Sequence, residues 1–294
     1  MDLAKYLITK AKYKIKNICT VLGVARSNQY ANKSIRKKRY RCVDDVDVLK
    51  SILSVTKDRG TYGYPRVTAL VNRERRKQYQ KIWNKKRILR SMQMNNLILP
   101  KFISKPKRLH LVTVMTLKSN LRWCSDILEI RCWNGEKVFV SFALECHDRE
   151  VLSFVAEKRP LFHGDIIKLM DQAVTSRFGE YVEKLPQTIQ WLTDQGPQYK
   201  AIQTVTYGDE WGFDVRTTPA YSPESNGMAE AFVKLFKRDY VYVNDLWTGD
   251  AVIRQLAGWF ADYNLHHPHS ALKMMSPLEY RKSQISDSLN KVSV

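Results

Sequence analysis

Apolar positions in the first hundred residues recur at the spacing of helix faces. Residues 15–22 and 46–53 each place apolar side chains on one side of a helix. Two further helices are predicted over residues 67–76 and 83–94, where basic side chains occupy the opposite side. The front third of the chain is therefore predicted to be mostly helical.

The pattern changes after residue 110 to short runs rich in β-branched and aromatic residues. Turn signals at Asn134-Gly135 and His147-Asp148 separate the first three runs. Glu145 and Asp148 flank the second turn and are interpreted as turn residues. Three antiparallel strands followed by alternating helices and strands predict an α/β domain with a mixed sheet. The predicted strands are 122–131, 137–145, 149–157, 188–193 and 213–217, and the predicted helices are 165–178, 198–211, 228–243 and 250–263.

The predicted domain organisation has four parts. Residues 1–43 form a helix-turn-helix-like segment with a basic linker, in which Gly23 is the turn and Arg26 and Asn28 suit DNA contacts. Any two-helix hairpin with a glycine turn fits the same pattern. Residues 44–110 form a second helical DNA-binding unit with a basic connector, residues 111–285 the α/β core, and residues 286–294 a tail.

The distribution of charge points to nucleic acid. The chain holds 49 Lys and Arg against 29 Asp and Glu, and residues 1–110 hold 29 of these cations but only 6 of the acids. Such a basic segment binds polyanions with release of counterions. A solvated basic face or a membrane-surface patch is less favoured, because the basic residues alternate with apolar residues at helical spacing. Double-stranded DNA is the expected partner.

Composition excludes several other classes of protein. Hydrophobic residues make up 44% of the 294 positions, which is enough to build packed cores. Neither a membrane-spanning run nor the apolar region of a signal peptide is visible. Five cysteines without a CxxC pair disfavour a disulfide scaffold or a zinc finger. We therefore expect a protein of the reducing cytoplasm.

Two aspartates occupy matching surroundings. Asp126 and Asp194 each follow a tryptophan by three positions, at Trp123 and Trp191. Residues three apart in a strand face opposite sides of the sheet, so each Trp can pack under a helix while each Asp faces the other layer. Asp194 ends its predicted strand, where α/β sheets bind ligands.

A third acid, Glu230, is separated from Asp194 by 35 residues and lies in the first turns of a predicted helix. Lys234, Lys237 and Arg238 are predicted to share its helix face. Each acid alone is better explained as a strand-end cap or a surface ion pair. Three together predict a divalent-cation site, with two Mg²⁺ ions or Mn²⁺ in their place. Glu224 is a competing third acid, but it lies in the preceding turn.

These motifs resemble the DDE transposases of bacterial insertion sequences, specifically the OrfB-type product of two-frame elements. Residues 120–243 are also similar to the retroviral integrase catalytic core. The motifs that carry the resemblance are Arg122-Trp123-Cys124-Ser125-Asp126, Trp191-Leu192-Thr193-Asp194, Ser222 to Glu230, Tyr263-Asn264, His267 to Leu272, Thr61 to Val67 and Arg87 to Met92. Three positions depart from the family pattern: Ile127 and Lys273 replace a usual Gly, and Gln195 replaces a usual Asn.

The resemblance implies an RNase H-like mixed five-stranded sheet with flanking helices, preceded by the helical DNA-binding region. It implies that Asp126, Asp194 and Glu230 are the catalytic, metal-holding residues of DNA strand cleavage and strand transfer. It also implies a homo-oligomeric synaptic complex, a circular intermediate and a possible frameshift partner encoded upstream. Two alternatives stay open at this point: an inactive protein that binds the insertion-element ends, disfavoured by the intact triad, and a nuclease that cuts without joining.

Candidate DNA contacts complete the predicted site. His267 and His269 could suggest zinc, but the intervening Pro268 and the lack of a nearby Cys disfavour tetrahedral closure, so a polar contact to DNA is favoured. The predicted DNA-binding residues are Arg26, Asn28, Arg66, Arg87, Arg90, Lys234, Lys237, Arg238, His267 and His269.

Overall fold

A computed structural model describes residues 3–11, 13–26, 45–100, 116–218 and 226–292. Among these residues, no helix has both the length and the apolar character that crossing a membrane requires. The strands are β1 (Arg122–Arg131), β2 (Lys137–Glu145), β3 (Val151–Glu157), β4 (Ile189–Thr193) and β5 (Phe213–Thr217). The helices are α1 (Leu3–Thr9), α2 (Ile15–Leu22), α3 (Asp45–Asp58), α4 (Tyr64–Lys77), α5 (Lys85–Met94), α6 (His163–Phe178), α7 (Pro197–Lys200), α8 (Ile202–Trp211), α9 (Gly227–Phe236), α10 (Gly249–His266) and α11 (Pro277–Val292).

The five strands form one mixed sheet in the order β3-β2-β1-β4-β5. β1 pairs antiparallel with β2, and β2 antiparallel with β3. β4 pairs parallel with both β1 and β5. This topology confirms the predicted α/β class and the RNase H-like sheet.

Hydrophobic clusters cover both faces of the sheet. Trp123 and Trp191 are fully buried and pack in a cluster that includes the apolar side of α6. Their strand neighbours Cys124 and Leu192 belong to the opposite cluster, which is built with α9 and α10. The alternation confirms that the two tryptophans and the two aspartates face opposite layers.

Several predicted boundaries are wrong for identifiable local reasons. β3 begins at Val151 and not at residue 149, because Arg149 has a left-handed φ of 63°. The single helix predicted over 198–211 is two helices, since Ala201 is extended between them. The predicted helix 228–243 is α9 followed by a π-helical segment, Lys237–Val241.

The chain divides into two compact units, residues 1–46 and 47–294. In the first unit, α2 ends at Gly23, whose φ of 62° is the left-handed conformation that glycine favours. Arg26 is exposed there. Asn28, the rest of the expected second helix and the 33–41 linker lie outside the described residues.

Helices α3, α4 and α5 open the second unit and share their own small core, which includes Val48, Ile52, Val67, Ile88 and Met92. The α3–α4 turn, residues 59–63, and the first turn of α4 then contact the α/β core through buried and partly buried polar groups. Four contacts make this junction: Arg59 with Asp262 at 2.6 Å, Thr61 Oγ1 with Asp239 at 2.7 Å, Arg66 with Asp239 at 3.1 Å and Tyr62 Oη with His267 Nδ1 at 2.7 Å.

Candidate active site

The parallel pairing of β1 and β4 sets the positions of the first two acids. Trp123 pairs with Trp191, and Cys124 with Leu192. Extending the same register by two residues puts Asp126 level with Asp194 on neighbouring strands. Both side chains are half-buried and lie on the face of the sheet that α9 covers.

The turn after β4 holds Asp194 at the edge of the sheet. The Gly196 N–H donates to Asp194 Oδ1 at 3.0 Å, which closes a tight turn on the carboxylate. A Cβ on Gly196 would lie 3.0 Å from that same oxygen, so a larger residue here would press against the carboxylate. Gln195, one of the departures from the family pattern, donates to the Thr218 carbonyl at 2.9 Å and so ties the turn to the end of β5.

The third acid approaches from α9. Asn226 precedes this helix and is buried, and its Nδ2 donates to the Ser125 carbonyl at 3.2 Å. The start of α9 is therefore fixed to β1 one residue before Asp126. Glu230 lies in the first turn of α9 and accepts from Lys234 Nζ at 3.2 Å, with 41% of its side chain exposed.

The three acids share one electrostatic environment. The pKa of Asp126 is raised to about 6, mainly by burial and also by the negative charges of Asp194 and Glu230, against the lowering by the Ile127 N–H and by Lys237. The Ile127 N–H donates to Asp126 Oδ1 at 2.8 Å. The mutual repulsion of these negative charges favours a bound cation.

A buried network of hydroxyl groups lies beside Asp126, and sequence reasoning missed it. Tyr199 is 1% exposed, and its Oη is 2.8 Å from Ser125 Oγ and 3.0 Å from Ser141 Oγ. Ser141 Oγ also donates to the Asp126 carbonyl at 3.3 Å. Tyr199 lies in α7, directly after the Asp194 turn, so it links that turn to β1 and β2. A tyrosine five residues after an acid carries no distinctive sequence pattern.

Replacing Tyr199 with Phe is expected to lower strand joining about tenfold while DNA affinity stays unchanged. The ring keeps its packing, but the turn carrying Asp194 loses its hydrogen bonds to β1 and β2, and a misplaced catalytic group slows the reaction. The free energy of unfolding should fall by about 1–2 kcal/mol. Parallel kinetic and urea-denaturation measurements check this, with Tyr207→Phe as control because Tyr207 Oη bonds Asp171 away from the acids. Equal joining by both variants would contradict the positioning role.

The raised pKa of Asp126 leads to a separate prediction for the stability of Asp126→Asn in metal-free protein. The folded-state pKa of about 6 exceeds the usual value of 3.8, so ionising this group destabilises the fold as pH rises between those values. The variant should gain stability over wild type across that interval, by about 1–3 kcal/mol in total, and the gain should level off above pH 6. Urea denaturation from acid to neutral pH with chelator checks this; a pH-independent difference would contradict it.

The three cations that were predicted to share the helix face of Glu230 do not form one face. The π-helical segment begins at Lys237 and changes the direction of the side chains that follow. Lys234 pairs with Glu230, and the charge of Lys237 acts on Asp126. Arg238 instead pairs with Asp239, at 2.6 Å. Sequence spacing alone could not reveal this change of helical geometry.

The other predicted DNA-binding residues differ in their exposure to solvent. Arg90 is exposed on α5, whereas Arg87 is half-buried with its guanidinium 5.6 Å from the centre of the Trp83 ring. Arg66 is engaged with Asp239.

His267 lies inside the protein, and His269 is partly buried. His267 is 0% exposed, so it has no surface to offer DNA, and burial lowers its pKa strongly. Burial also lowers the pKa of His269 to about 3. Both rings are therefore neutral at physiological pH and add no positive charge for a phosphate. His267 instead takes part in the Tyr62 junction described above.

The chemistry of the three acids fits a divalent cation. Carboxylate oxygens are the ligands that Mg²⁺ and Mn²⁺ take from proteins. In the described residues, no three His, Cys, Asp or Glu side chains are close enough to hold an ion together. Glu230 pairs with Lys234 in this structure.

Comparisons with known families agree with this arrangement. The integrase core domain family matches residues 117–223 and, through a second family model, residues 212–277. An HTH-like domain family matches residues 44–101. The two kinds of match correspond to the α/β core and to helices α3–α5.

Similar proteins cover almost the whole chain. Transposase InsD for insertion element IS2A/D/F/H/I/K of Escherichia coli is 37% identical over 99% of this chain and 98% of its own length. Transposase InsD for insertion element IS2-9 of Escherichia coli strain K12 is 40% identical over 86% of this chain and 82% of its own length.

Solved structures show weaker likeness. The catalytic core domain of BIV integrase has a TM-score of 0.39 and 19% identity over 57% of this chain and 99% of that one. The catalytic domain of Mos1 mariner transposase has a TM-score of 0.39 and 16% identity over 48% of this chain and 70% of that one. On the sequence relatives and family models, the chain belongs to the DDE-type transposases of bacterial insertion elements, a polynucleotidyl transferase family with an integrase core domain.

Proposed function

We propose that this protein catalyses strand cleavage at the ends of its insertion element and transfer of the freed strand into another DNA. The observation that supports the proposal is the level placement of Asp126 and Asp194 at β1 and β4, with the charge of Glu230 on α9 acting on Asp126, in a chain of this family. Two Mg²⁺ ions, or Mn²⁺, bound by these carboxylates would supply Lewis-acid activation of the oxygens that enter and leave phosphorus. Structures of HTLV-2 integrase with magnesium and of Mos1 transposase with Mn support a divalent cation.

The side chains at the site have separate roles in the proposed reaction. Asp126 holds a proton more readily than an ordinary Asp and must release it before it can hold a cation. Lys234 neutralises Glu230 in the structure described, and cation binding would free Lys234 to contact a DNA phosphate. The Asn226 and Tyr199 contacts keep α9 and the Asp194 turn fixed relative to β1.

The reaction is two in-line displacements at phosphorus. Water attacks the phosphodiester at the end of the insertion element, and the departing oxygen becomes a free 3′-OH. That hydroxyl then attacks a second phosphodiester, forms the new bond and displaces the 3′ oxygen of the target strand. No covalent bond between protein and DNA is needed.

Other parts of the proposal rest on family resemblance. The active assembly would be a homo-oligomeric synaptic complex on double-stranded DNA at the nucleoid, with a circular intermediate. A shorter upstream product, joined by frameshifting, would act as partner. Helices α1–α5 would recognise the insertion-element ends, with Arg26, Asn28, Arg87 and Arg90 among the contacts.

A product analysis tests the proposed activity. Purified protein is incubated with a labelled duplex carrying its own insertion-element end, with Mg²⁺, with Mn²⁺ or with chelator. Nicked and joined products that require the metal are expected. Binding without cleavage in either metal, also after addition of the upstream fusion partner, would instead identify an inactive end-binding regulator. Cleavage that never yields joined product would identify a nuclease.

A further inference from the structure

A basic groove of about 890 Å³ lies between α4 and the loop that precedes α11. Both sides of the groove belong to the second compact unit. Helices α4 and α5 line one side, and the loop lines the other with Lys273, Met274 and Met275. The HTH-like helices and the α/β core therefore form the groove jointly. Its cationic lining residues are Arg73, Arg76, Lys77, Lys85 and Lys273.

Most of the cationic residues that line the groove have no carboxylate partner among the described residues. Glu279, which also lines the groove, accepts from Arg73 at 2.5 Å. Arg76, Lys85 and Lys273 are exposed, and within the described residues no carboxylate pairs with any of them. A row of such cations in a concave surface attracts a polyanion.

The backbone of the loop holds Lys273 in a conformation that lysine rarely adopts. Lys273 and Met274 have φ values of 54° and 63°, both in the left-handed region that favours glycine. Hydrogen bonds fix the loop, with Met274 N donating to His269 O at 2.7 Å and His269 N donating to Met275 O at 3.0 Å. A lysine at this position strains the fold, and strained positions concentrate at functional sites.

Helix α5 adds a second attraction for anions. It begins at Lys85 on the lining of the groove, and its N-terminus carries the positive end of the helix dipole. Asn84 caps this end, because its Oδ1 accepts from the Lys86 N–H at 2.9 Å and its carbonyl accepts from the Arg87 N–H at 2.9 Å. Cationic side chains beside a helix N-terminus are suited to phosphate groups.

We propose that this groove binds the phosphate backbone of the insertion-element DNA, with Lys273, Arg76 and Lys85 contacting phosphates. The assignment rests on the proposed function, because it takes the DNA end as the occupant. DNA bound in the groove would contact both the HTH-like helices and the α/β core. Contacts to phosphates carry no sequence information, so the groove positions the DNA while exposed side chains elsewhere read its bases.

Lys273→Gly separates binding from folding. Glycine removes the cation and relieves the left-handed strain, so the variant should bind the end duplex about five- to tenfold more weakly at low salt yet melt at the same or a higher temperature. Lys273→Arg keeps the charge and should bind like wild type. Lys168→Gln, an exposed change on α6 at the opposite face of the sheet, is the control for net charge.

Fluorescence anisotropy across a range of salt concentrations provides the readout. Loss of one phosphate contact should reduce the slope of log affinity against log salt by about one, equally for the end duplex and a scrambled duplex. Arg76→Gln and Lys85→Gln should each reduce it similarly. If wild type binds and joins its end while these variants keep the wild-type slope, the groove assignment is overturned and the proposed function stands. If wild type neither binds nor joins its end duplex, the proposed function itself is contradicted.

Discussion

Asp194→Asn is expected to reduce strand joining at least about a thousandfold while DNA binding survives. The substitution keeps the size of the side chain and an oxygen that can accept from Gly196, so the turn after β4 should persist. It removes one of the charges that would hold the divalent cation, and loss of such electrostatic stabilisation typically costs about two to three orders of magnitude or more. Quantifying joined product on a labelled end duplex checks the effect.

Asp214→Asn provides the matched control for this experiment. Asp214 lies on β5, opposite Gln190 of β4, and pairs with Arg216 near the surface, away from Asp126. The same change of charge there should leave joining within about twofold. A comparable loss in both variants would mean that Asp194 has no special role, and the carboxylate site would have to be reassigned.

Arg177→Met is expected to produce the largest loss of stability, about 3–5 kcal/mol. Arg177 is 3% exposed at its side chain and contacts Asp148 at 2.7 Å and Glu150 at 2.5 Å, both of which are also buried. Methionine fills a similar volume but leaves two buried carboxylates without this partner, and breaking a buried ion pair costs far more than breaking an exposed one. Urea denaturation measures the change.

An exposed ion pair supplies the comparison for Arg177. Lys158 contacts Asp250 at 2.9 Å, but both side chains are about half exposed. Lys158→Met should change the free energy of unfolding by less than about 1 kcal/mol. If Arg177→Met were equally mild, the buried cluster would not be a stabilising unit of the core.

Periodicity and turn residues predicted most of the α/β core. The bounds of β1, β2 and β5 agree with their predicted ranges, because alternating apolar side chains and Asn134-Gly135 mark them locally. The π-helical segment after α9 was not predictable, since it depends on packing and not on residue spacing. Glu145 and Asp148, expected as turn residues, are fully buried, and Arg177, which pairs with Asp148, comes from a distant helix.

The sequence predicted which residues belong to the candidate site but not the contacts that position them. Trp–x–x–Asp spacing placed Asp126 and Asp194 on the same face of the sheet, and Glu230 was predicted as the third acid from its place in the first turns of the next helix. Tyr199 and the junction between Tyr62 and His267 join residues 74 and 205 positions apart from their partners, so only the fold brings them together. His267 was expected at DNA and instead lies inside that junction.

The most direct test of the central claim is a joining assay with a duplex already ending in a 3′-OH at the insertion-element end. Wild type, Glu230→Gln and Glu224→Gln are compared in Mg²⁺, with DNA binding measured in parallel. Glu224 lies outside the described residues and is the competing acid in the sequence. The account predicts joining by wild type and Glu224→Gln, and binding without joining by Glu230→Gln. Wild-type joining by Glu230→Gln would contradict it.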